Sequence, residues 1–203
     1  MSKTNVNKIA VIGLGYVGLP LALLAEQKRF DVVGVEVYKP KLELLMNHQP
    51  TIDDEQANKL IANSEIIFTD DFSKLNDRDV VVICVPTPVD ELKNPDLGPV
   101  RSAVGSAVKH MKKGSLLVVE STINPGVCDE VVIPLIESES DHIVGRTIHL
   151  AHCPERINPG DPKWHVGNIN RVLGASDEKG LELAYEFYTN LVDASVKKMG
   201  SIK

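Results

Sequence analysis

Cysteine and aromatic residues are scarce in this sequence. Its 203 residues include three cysteines, and aromatic residues make up 4% of the total. The cysteines are Cys84, Cys128 and Cys153, and such an odd, low number argues against the disulfide framework of a small secreted domain. We therefore expect a hydrophobic core to hold the fold together, and a chain of this length can bury one.

Long hydrophobic runs and an excess of positive charge are also missing. No segment approaches 18 consecutive apolar residues, and the N-terminus lacks the apolar region of a signal peptide, so we expect a cytoplasmic protein without a membrane partner. The formal net charge is −6, which disfavours nucleic acid or an anionic membrane surface as a partner. Hydrophobic residues at 43% and charged residues at 25% are typical of a globular domain.

The most informative segment that is present is a glycine-rich turn in residues 8–24, KIAVIGLGYVGLPLALL. A short apolar run meets Gly13, Gly15 and Gly18, and a helix-like run follows. This is the order of a dinucleotide-binding strand, turn and helix. Gly13 permits the tight turn, Gly15 leaves room for a pyrophosphate, and Gly18 lets the helix pack close to the strand.

The surroundings of the turn favour NAD as the cofactor. Tyr16 and Val17, at the predicted start of the helix, are expected cofactor-binding residues because free N–H groups and partial positive charge attract phosphates there. The second predicted strand, residues 31–36, ends at Glu36, where an acidic residue accepts hydrogen bonds from the adenosine ribose and repels the extra phosphate of NADP. The alternative is a flavodoxin-like or other α/β turn without a dinucleotide.

Strand-like and helix-like runs alternate along the chain. Runs such as VVICV and LLVVE are apolar on both faces, which is typical of a parallel sheet covered by helices. We therefore predict an α/β fold, a doubly wound, mostly parallel Rossmann-type sheet with helices on both faces, as one NAD-binding domain over residues 1–203. The predicted strands are 8–12, 31–36, 65–69, 80–85, 115–120, 147–152, 171–174 and a short 195–199. The predicted helices are 16–29, 40–47, 55–62, 100–111, 127–138 and 178–191.

The loops after the fourth and fifth predicted strands lie where ligands bind in such sheets. Residues 85–88, VPTP, make a stiff segment that can form the wall of a cofactor crevice, or else a simple strand-ending turn. Residues 120–126, ESTINPG, place hydroxyl groups at the same edge. Capping of the next helix by Thr122 or Asn124, with Pro125 in its first turn, explains part of that cluster.

The loop after the sixth predicted strand, HCPERINPGD, is dense in functional groups. Glu155 can act as a general base or orient a water molecule, and Arg156 can hold a phosphate or carboxylate. The alternative is a surface Glu–Arg pair before a Pro-Gly turn. A metal site at His149, His152 and Cys153 is disfavoured, because no partner pair of ligands stands at a defined spacing.

Together, the segments GLGYVGLP, VPTP, ESTINPG and CPERINPGD resemble the nucleotide-sugar 6-dehydrogenases, the UDP-glucose and GDP-mannose dehydrogenase family. The form PERINPG looks most like the branch that acts on UDP-N-acetylhexosamines, such as UDP-N-acetylglucosamine, UDP-N-acetylgalactosamine or UDP-N-acetylmannosamine. The resemblance implies NAD, a UDP-sugar substrate and an oxidoreductase that makes a uronic acid for capsule or other surface polysaccharide.

The reaction that this resemblance implies has two NAD-dependent oxidations. The primary alcohol at carbon 6 becomes an aldehyde, which a cysteine captures as a thiohemiacetal; oxidation to a thioester and hydrolysis then release the uronic acid. By matching motif positions, Thr122 orients a catalytic water near the nicotinamide. Glu155 assists thioester hydrolysis and contacts NAD, and Arg156 is assigned to the substrate.

Four further positions match the family's cofactor-binding motifs. The resemblance implies that Glu36 and Lys41 hold the adenosine ribose, and that Pro86 and Thr87 line the cofactor crevice. Two positions depart from the pattern of the family. Glu36 stands where the family more often has aspartate, and Pro159 stands where UDP-glucose enzymes place a second glutamate, so the role of that glutamate cannot be transferred.

The family's nucleophilic cysteine lies in a later Gly-x-x-Cys-x-Pro-Lys-Asp-like segment, which does not occur in these residues. Cys128 and Cys153 lie in the wrong motifs to replace it. We therefore expect the N-terminal NAD-binding domain of a longer, homodimeric enzyme, without the central helix and the C-terminal UDP-binding domain, and inactive by itself. The alternatives are a stand-alone NAD-binding module and the cofactor domain of a β-hydroxyacid dehydrogenase.

Overall fold

The strands of the computed structural model, which describes residues 6–156 and 165–202, form one sheet in the order β3-β2-β1-β4-β5-β6-β7-β8. The first six strands run parallel, whereas β7 is antiparallel to β6 and β8 is parallel to β7. The prediction of a doubly wound, mostly parallel sheet is confirmed. The strands are β1 (Lys8–Ile12), β2 (Asp31–Val35), β3 (Ile67–Thr69), β4 (Val80–Ile83), β5 (Leu116–Val119), β6 (His149–His152), β7 (Arg171–Ala175) and β8 (Val196–Ser201).

Helices cover both faces of the sheet. The α-helices are α1 (Gly18–Gln27), α2 (Lys39–Met46), α3 (Glu55–Ile61), α4 (Gly98–Val108), α5 (Ile133–Glu139) and α6 (Glu178–Leu191). Side chains of α1, α2, α3 and α6 belong to one hydrophobic core, and those of α4 and α5 belong to a second core on the opposite face. No helix in the described residues is long and apolar enough to cross a membrane.

Side chains of a strand pack alternately against the helices on the two faces of the sheet, which explains why the sequence of a strand such as β4 is apolar at every position. In β4, Val80 and Val82 pack into the core of α1 and α6, whereas Val81 and Ile83 pack into the core of α4 and α5. Successive side chains of a strand point to opposite faces, so a strand that is covered on both sides needs apolar residues at every position.

Most predicted helix boundaries differ from the structure by one to three residues, and two of the predicted helices differ in a way that has a structural consequence or reason. The helix predicted to start at residue 16 begins at Gly18, which leaves Tyr16 and Val17 in the preceding turn. The helix predicted over 127–138 is divided into a wide turn at Cys128–Val132, with π-helical geometry, and α5. Pro134 explains this division, because its ring has no N–H group and clashes with the carbonyl group four residues earlier in a regular helix.

The carboxyl ends of β1 and β4 mark the point where the strand order reverses. The chain proceeds outward from β1 through β2 to β3, then returns to β4 on the other side of β1. A crevice forms where the connections leave the sheet in opposite directions, and ligands of doubly wound folds bind there.

Candidate cofactor site

A cleft of about 690 Å³ lies at this crevice. It is lined by the glycine turn after β1, by the end of β2, and by the loops that follow β4, β5 and β6. The cleft has the size and the position of a small-molecule site. Most of the predicted site residues line it, namely Gly13, Gly15, Tyr16, Val17, Glu36, Lys41, Pro86, Thr87, Thr122 and Glu155.

The three glycines of the turn have different surroundings. Gly13 has a φ of 88°, and a Cβ atom there would lie 2.8 Å from the carbonyl oxygen of Cys84. A Cβ atom on Gly18 would lie 1.9 Å from the carbonyl oxygen of Gly13, so the turn closes only without a side chain. Gly15 lines the cleft, and a Cβ atom at this position would have no neighbouring atom within 4 Å. This open space fits a group that approaches the backbone, as a pyrophosphate does.

Glu36 follows β2 directly, and its carboxylate is held in place at the cleft. One oxygen, Oε1, accepts a hydrogen bond of 3.0 Å from the backbone N–H of Tyr38. The other, Oε2, lies 3.2 Å from Nζ of Lys41 and accepts a 3.4 Å bond from the N–H of Leu14. A buried carboxylate with fixed orientation beside the glycine turn fits recognition of the hydroxyl groups of a ribose.

The loops after β4 and β5 are joined by side-chain hydrogen bonds. The hydroxyl group of Thr87 donates to the carbonyl oxygen of Thr122 at 2.8 Å, and that of Ser121 donates to the carbonyl oxygen of Val85 at 2.7 Å. No side-chain hydrogen bond caps the segment at Cys128–Val132, so the interpretation of Thr122 or Asn124 as a helix cap is wrong. Thr87 and Thr122 together form one wall of the cleft.

Glu155 and Arg156, adjacent in sequence, lie in different surroundings. The side chain of Glu155 is 7% exposed, lines the cleft and lies 3.9 Å from Nη1 of Arg171. The side chain of Arg156 is exposed, does not line the cleft, and donates a hydrogen bond from Nη2 to the carbonyl oxygen of Asn170. Its assignment to the substrate therefore stays a prediction. Residues 157–161 of the same motif, with Pro159, lie outside the described residues.

Sequence reasoning missed a buried polar cluster below the cleft. Glu120 follows β5 and accepts a hydrogen bond of 2.5 Å from the hydroxyl group of Tyr188 in α6. Arg171, at the start of β7, places Nη1 3.6 Å from Oε1 of Glu120. Burial raises the pKa of Glu120, and the guanidinium of Arg171 offsets part of this effect. The signal in the sequence was a charged residue at the end of an apolar strand, LLVVE, and another at the start of one, RVLGA.

Packing or hydrogen bonds hold the cysteines and histidines that the sequence singles out, Cys128, Cys153, His149 and His152. Burial raises the pKa of Cys128 and that of Cys153 to about 12, so both remain thiols at neutral pH. Nδ1 of His149 lies 2.8 Å from a carboxylate oxygen of Asp177, and Nδ1 of His152 lies 2.7 Å from the carbonyl oxygen of Val119. Within residues 6–156 and 165–202, no three His, Cys, Asp or Glu side chains are placed to hold a metal ion.

A doubly wound sheet with a glycine turn at its switch point and a carboxylate after β2 defines a dinucleotide-binding domain. The sequence model of the UDP-glucose/GDP-mannose dehydrogenase family, NAD binding domain, matches residues 7–192, and the chain belongs to this family. The family match identifies NAD as the cofactor. It also decides against a flavodoxin-like turn and against the β-hydroxyacid dehydrogenase alternative.

Similar proteins extend this comparison. The UDP-N-acetyl-D-glucosamine 6-dehydrogenase of Pseudomonas aeruginosa is 37% identical over 196 residues, which are 97% of this chain and 46% of the relative. Protein CapL of Staphylococcus aureus is 35% identical over 195 residues, 96% of this chain and 46% of the relative. A UDP-D-ManNAc dehydrogenase structure from Pyrococcus horikoshii superposes with a TM-score of 0.88 at 28% identity, over 96% of this chain and 47% of that one. The chain thus spans about half the length of the curated relatives that it matches.

Proposed function

We propose that this chain is the NAD-binding half of a UDP-N-acetylhexosamine 6-dehydrogenase, which oxidises the carbon-6 alcohol of the sugar to a uronic acid in two NAD-dependent steps. The observation that carries the proposal is that one cleft joins the glycine turn and Glu36 to Thr122 and Glu155. Names of relatives support the substrate class, since the Pseudomonas and Pyrococcus proteins are a UDP-N-acetyl-D-glucosamine 6-dehydrogenase and a UDP-D-ManNAc dehydrogenase.

The cofactor-binding residues divide the cleft into two halves. The turn at residues 13–18 takes the pyrophosphate, and Glu36 with Lys41 takes the adenosine ribose. Pro86 and Thr87, after β4, form the wall on the other side. Bound NAD supplies the hydride acceptor, and side chains of the protein perform the other chemical roles in the cleft.

Thr122 and Glu155 are the proposed catalytic residues of this half. Thr122 orients a water molecule, and its backbone is fixed because its carbonyl oxygen accepts the hydrogen bond from Thr87. Glu155 assists hydrolysis of the thioester, and its placement between the cleft and Arg171 keeps a carboxylate within reach of that water. The remaining half of such an enzyme would supply the nucleophilic cysteine and the UDP site. Homodimerisation and a cytoplasmic location are also proposals.

An activity assay tests this proposed function. We expect the 203-residue chain to bind NAD⁺ and NADH without steady NADH formation from UDP-N-acetylhexosamines. We expect the enzyme with its second half to consume two NAD⁺ for each UDP-N-acetylhexosamine and to prefer that sugar to UDP-glucose. Steady NADH formation by the chain alone would contradict the proposal that this half is inactive by itself. Consumption of one NAD⁺ for each sugar, instead of two, would contradict the two-step reaction.

Glu36→Ser is expected to weaken NADH binding and to relax the exclusion of NADPH. The variant removes a charged acceptor of ribose hydrogen bonds, which contributes about 1.5 to 3 kcal/mol, or roughly ten- to hundredfold in affinity. It also frees Lys41, which lies 3.2 Å from Glu36, to pair with the phosphate of NADPH. Fluorescence titration with both cofactors measures the two affinities.

Glu55→Ser is the matched control for this substitution. Glu55 is exposed and pairs with Lys59 on α3, and it does not line the cleft. Its replacement should leave both affinities unchanged. If Glu36→Ser kept the affinity for NADH and still excluded NADPH, the assignment of Glu36 to the adenosine ribose would be wrong.

A further inference from the structure

Glu120, the residue that follows β5, is bonded to three other elements of the fold. Its backbone N–H donates to the carbonyl oxygen of Ile83, at the end of β4, at 3.0 Å. Its own carbonyl oxygen accepts a 3.4 Å bond from the N–H of Glu155, in the loop after β6. Its side chain accepts the 2.5 Å hydrogen bond from the hydroxyl group of Tyr188 in α6. One residue therefore connects the ends of three neighbouring strands to a helix.

Both proposed catalytic residues are attached to Glu120 through the backbone. Glu155 is hydrogen-bonded to its carbonyl oxygen, and Thr122 follows it by two positions. Between them in sequence, the hydroxyl group of Ser121 donates to the carbonyl oxygen of Val85 at 2.7 Å. The chain that carries Thr122 is thus fixed from the end of β5 onward. The placement of Thr122 relative to Glu155 depends on how Glu120 is held.

The carboxyl group of Glu120 is too deeply buried to act on a substrate itself. The residue borders the cleft, but its side chain is 0% exposed, so a water molecule in the cleft does not reach it. Burying a carboxyl group costs free energy unless hydrogen bonds satisfy it, and the bond from Tyr188 supplies one. A group in this position acts through the residues that are bonded to it.

We propose that Glu120 is a positioning residue, held by Tyr188, for the two proposed catalytic residues of the cleft. It sets Thr122 and Glu155 in the relative placement that hydrolysis of the thioester needs. The inference rests on the function proposed above. In that step the oxygen of a water molecule bonds to the acyl carbon and the carbon–sulfur bond breaks. The proton that Glu155 takes from the water ends on the sulfur of the leaving cysteine.

Tyr188→Phe tests the inference because it removes the hydrogen bond and keeps the ring, which packs against the ring of Phe187. A misplacement of about 1 Å can cost roughly a hundredfold in rate. In the enzyme with its second half, we expect the variant to hydrolyse the thioester roughly ten- to hundredfold more slowly. The first burst of two NADH per active site should keep its rate, because the hydride transfers precede hydrolysis. Rapid-mixing measurement of NADH absorbance separates the burst from the steady rate.

Tyr185→Phe is the matched control on the same helix. The ring of Tyr185 lies beside Lys198, with Nζ at 4.4 Å from the ring centroid, and the residue does not line the cleft. Its replacement removes a tyrosine hydroxyl group from α6 without touching Glu120. Both the burst and the steady rate should stay at their original values.

A pair of substitutions at Glu120 separates the hydrogen bond from the size of the side chain. Glu120→Gln keeps an oxygen that accepts the bond from Tyr188, whereas Glu120→Met fills the same space without an acceptor. We expect Glu120→Met to slow the steady rate as Tyr188→Phe does, and Glu120→Gln to retain most of it. Equal steady rates in the two Glu120 variants would overturn the inference.

The 203-residue chain gives a second readout that needs no catalysis. The amide resonances of Thr122 and Glu155 should shift in Tyr188→Phe and keep their positions in Tyr185→Phe. Unshifted resonances, an unchanged steady rate in Tyr188→Phe, or a burst slowed as much as the steady rate would each overturn the inference. If the unmodified enzyme with its second half formed no uronic acid, the proposed function itself would fail.

Discussion

Replacing Gly15 by alanine is expected to abolish tight NAD binding without unfolding the protein. A Cβ atom at this position meets no atom of the protein within 4 Å, and Gly15 is not among the glycines with positive φ. The free energy of unfolding should therefore stay constant or rise by about 0.4 to 1 kcal/mol, since alanine restricts the unfolded chain. The added methyl group occupies the space assigned to the pyrophosphate.

The expected loss of affinity for Gly15→Ala is large. Overpacking of a fitted site costs about 1 to 3 kcal/mol, which corresponds to roughly five- to 150-fold in the dissociation constant. Gly18→Ala is the matched comparison, because its Cβ atom would lie 1.9 Å from the carbonyl oxygen of Gly13. It should lose stability as well as binding. Calorimetry measures the NAD affinity, and urea unfolding is the stability control. An unchanged NAD affinity in Gly15→Ala would contradict the assignment of this space to the pyrophosphate.

Arg171→Met is expected to destabilise the protein by about 3 to 5 kcal/mol, the usual result of removing one partner from a buried ion pair. The guanidinium is 1% exposed and faces Glu120 and Glu155, so its loss removes a cation that lies beside two buried carboxylates. Its stacking near the ring of Tyr188, at 5.7 Å from Cζ to the ring centroid, is lost too. Urea unfolding measures the change.

The destabilisation should depend on pH in a definite direction. Burial raises the pKa of folded Glu120 above its value in the unfolded chain, so this group contributes stability at acid pH that is lost as pH rises through the folded pKa. Arg171 opposes that rise, and without it the pKa of folded Glu120 increases further. The loss in Arg171→Met should therefore be larger at about pH 8 than at about pH 5.

The double variant Arg171→Met with Glu120→Gln is the control for this interpretation. The second substitution removes the buried carboxylate of Glu120, from which the first removes the guanidinium of Arg171, so the double variant should recover part of the stability and show less pH dependence. An equal loss at both pH values, or no recovery in the double variant, would mean that packing rather than charge decides the role of Arg171.

The sheet, and the meeting of the glycine turn with Glu36 at one cleft, could be predicted because their determinants are local in sequence. Alternating strand and helix patterns gave every strand of the sheet, and apolar residues at each position of β4 and β5 indicated burial on both faces. The glycine-rich turn contains Gly13, Gly15 and Gly18 within six residues, and Glu36 follows at the end of the next strand. Such spacing is set by one βαβ unit, so it can be recognised without knowing the rest of the fold.

The buried cluster could not be predicted because it depends on the tertiary arrangement. Glu120 and Tyr188 are 68 positions apart, and the side chain of Arg171 reaches both only because β7 turns back antiparallel beside β6. A charged residue beside an apolar strand looks the same whether it faces solvent or a buried partner. The position of Arg156, on the carbonyl oxygen of Asn170 rather than on the cleft, likewise follows from the path of the loop and not from its composition.

Amide chemical-shift mapping of the isotope-labelled chain with NAD⁺ is the most direct measurement of cofactor binding. We expect the largest shifts in the turn at residues 13–18, at Glu36, and at Thr87 and Thr122, with little change at the opposite end of the sheet around Asp79, whose carboxylate pairs with Lys112. No shift at saturating NAD⁺, or shifts centred on Asp79, would contradict the assignment of this cleft to the dinucleotide.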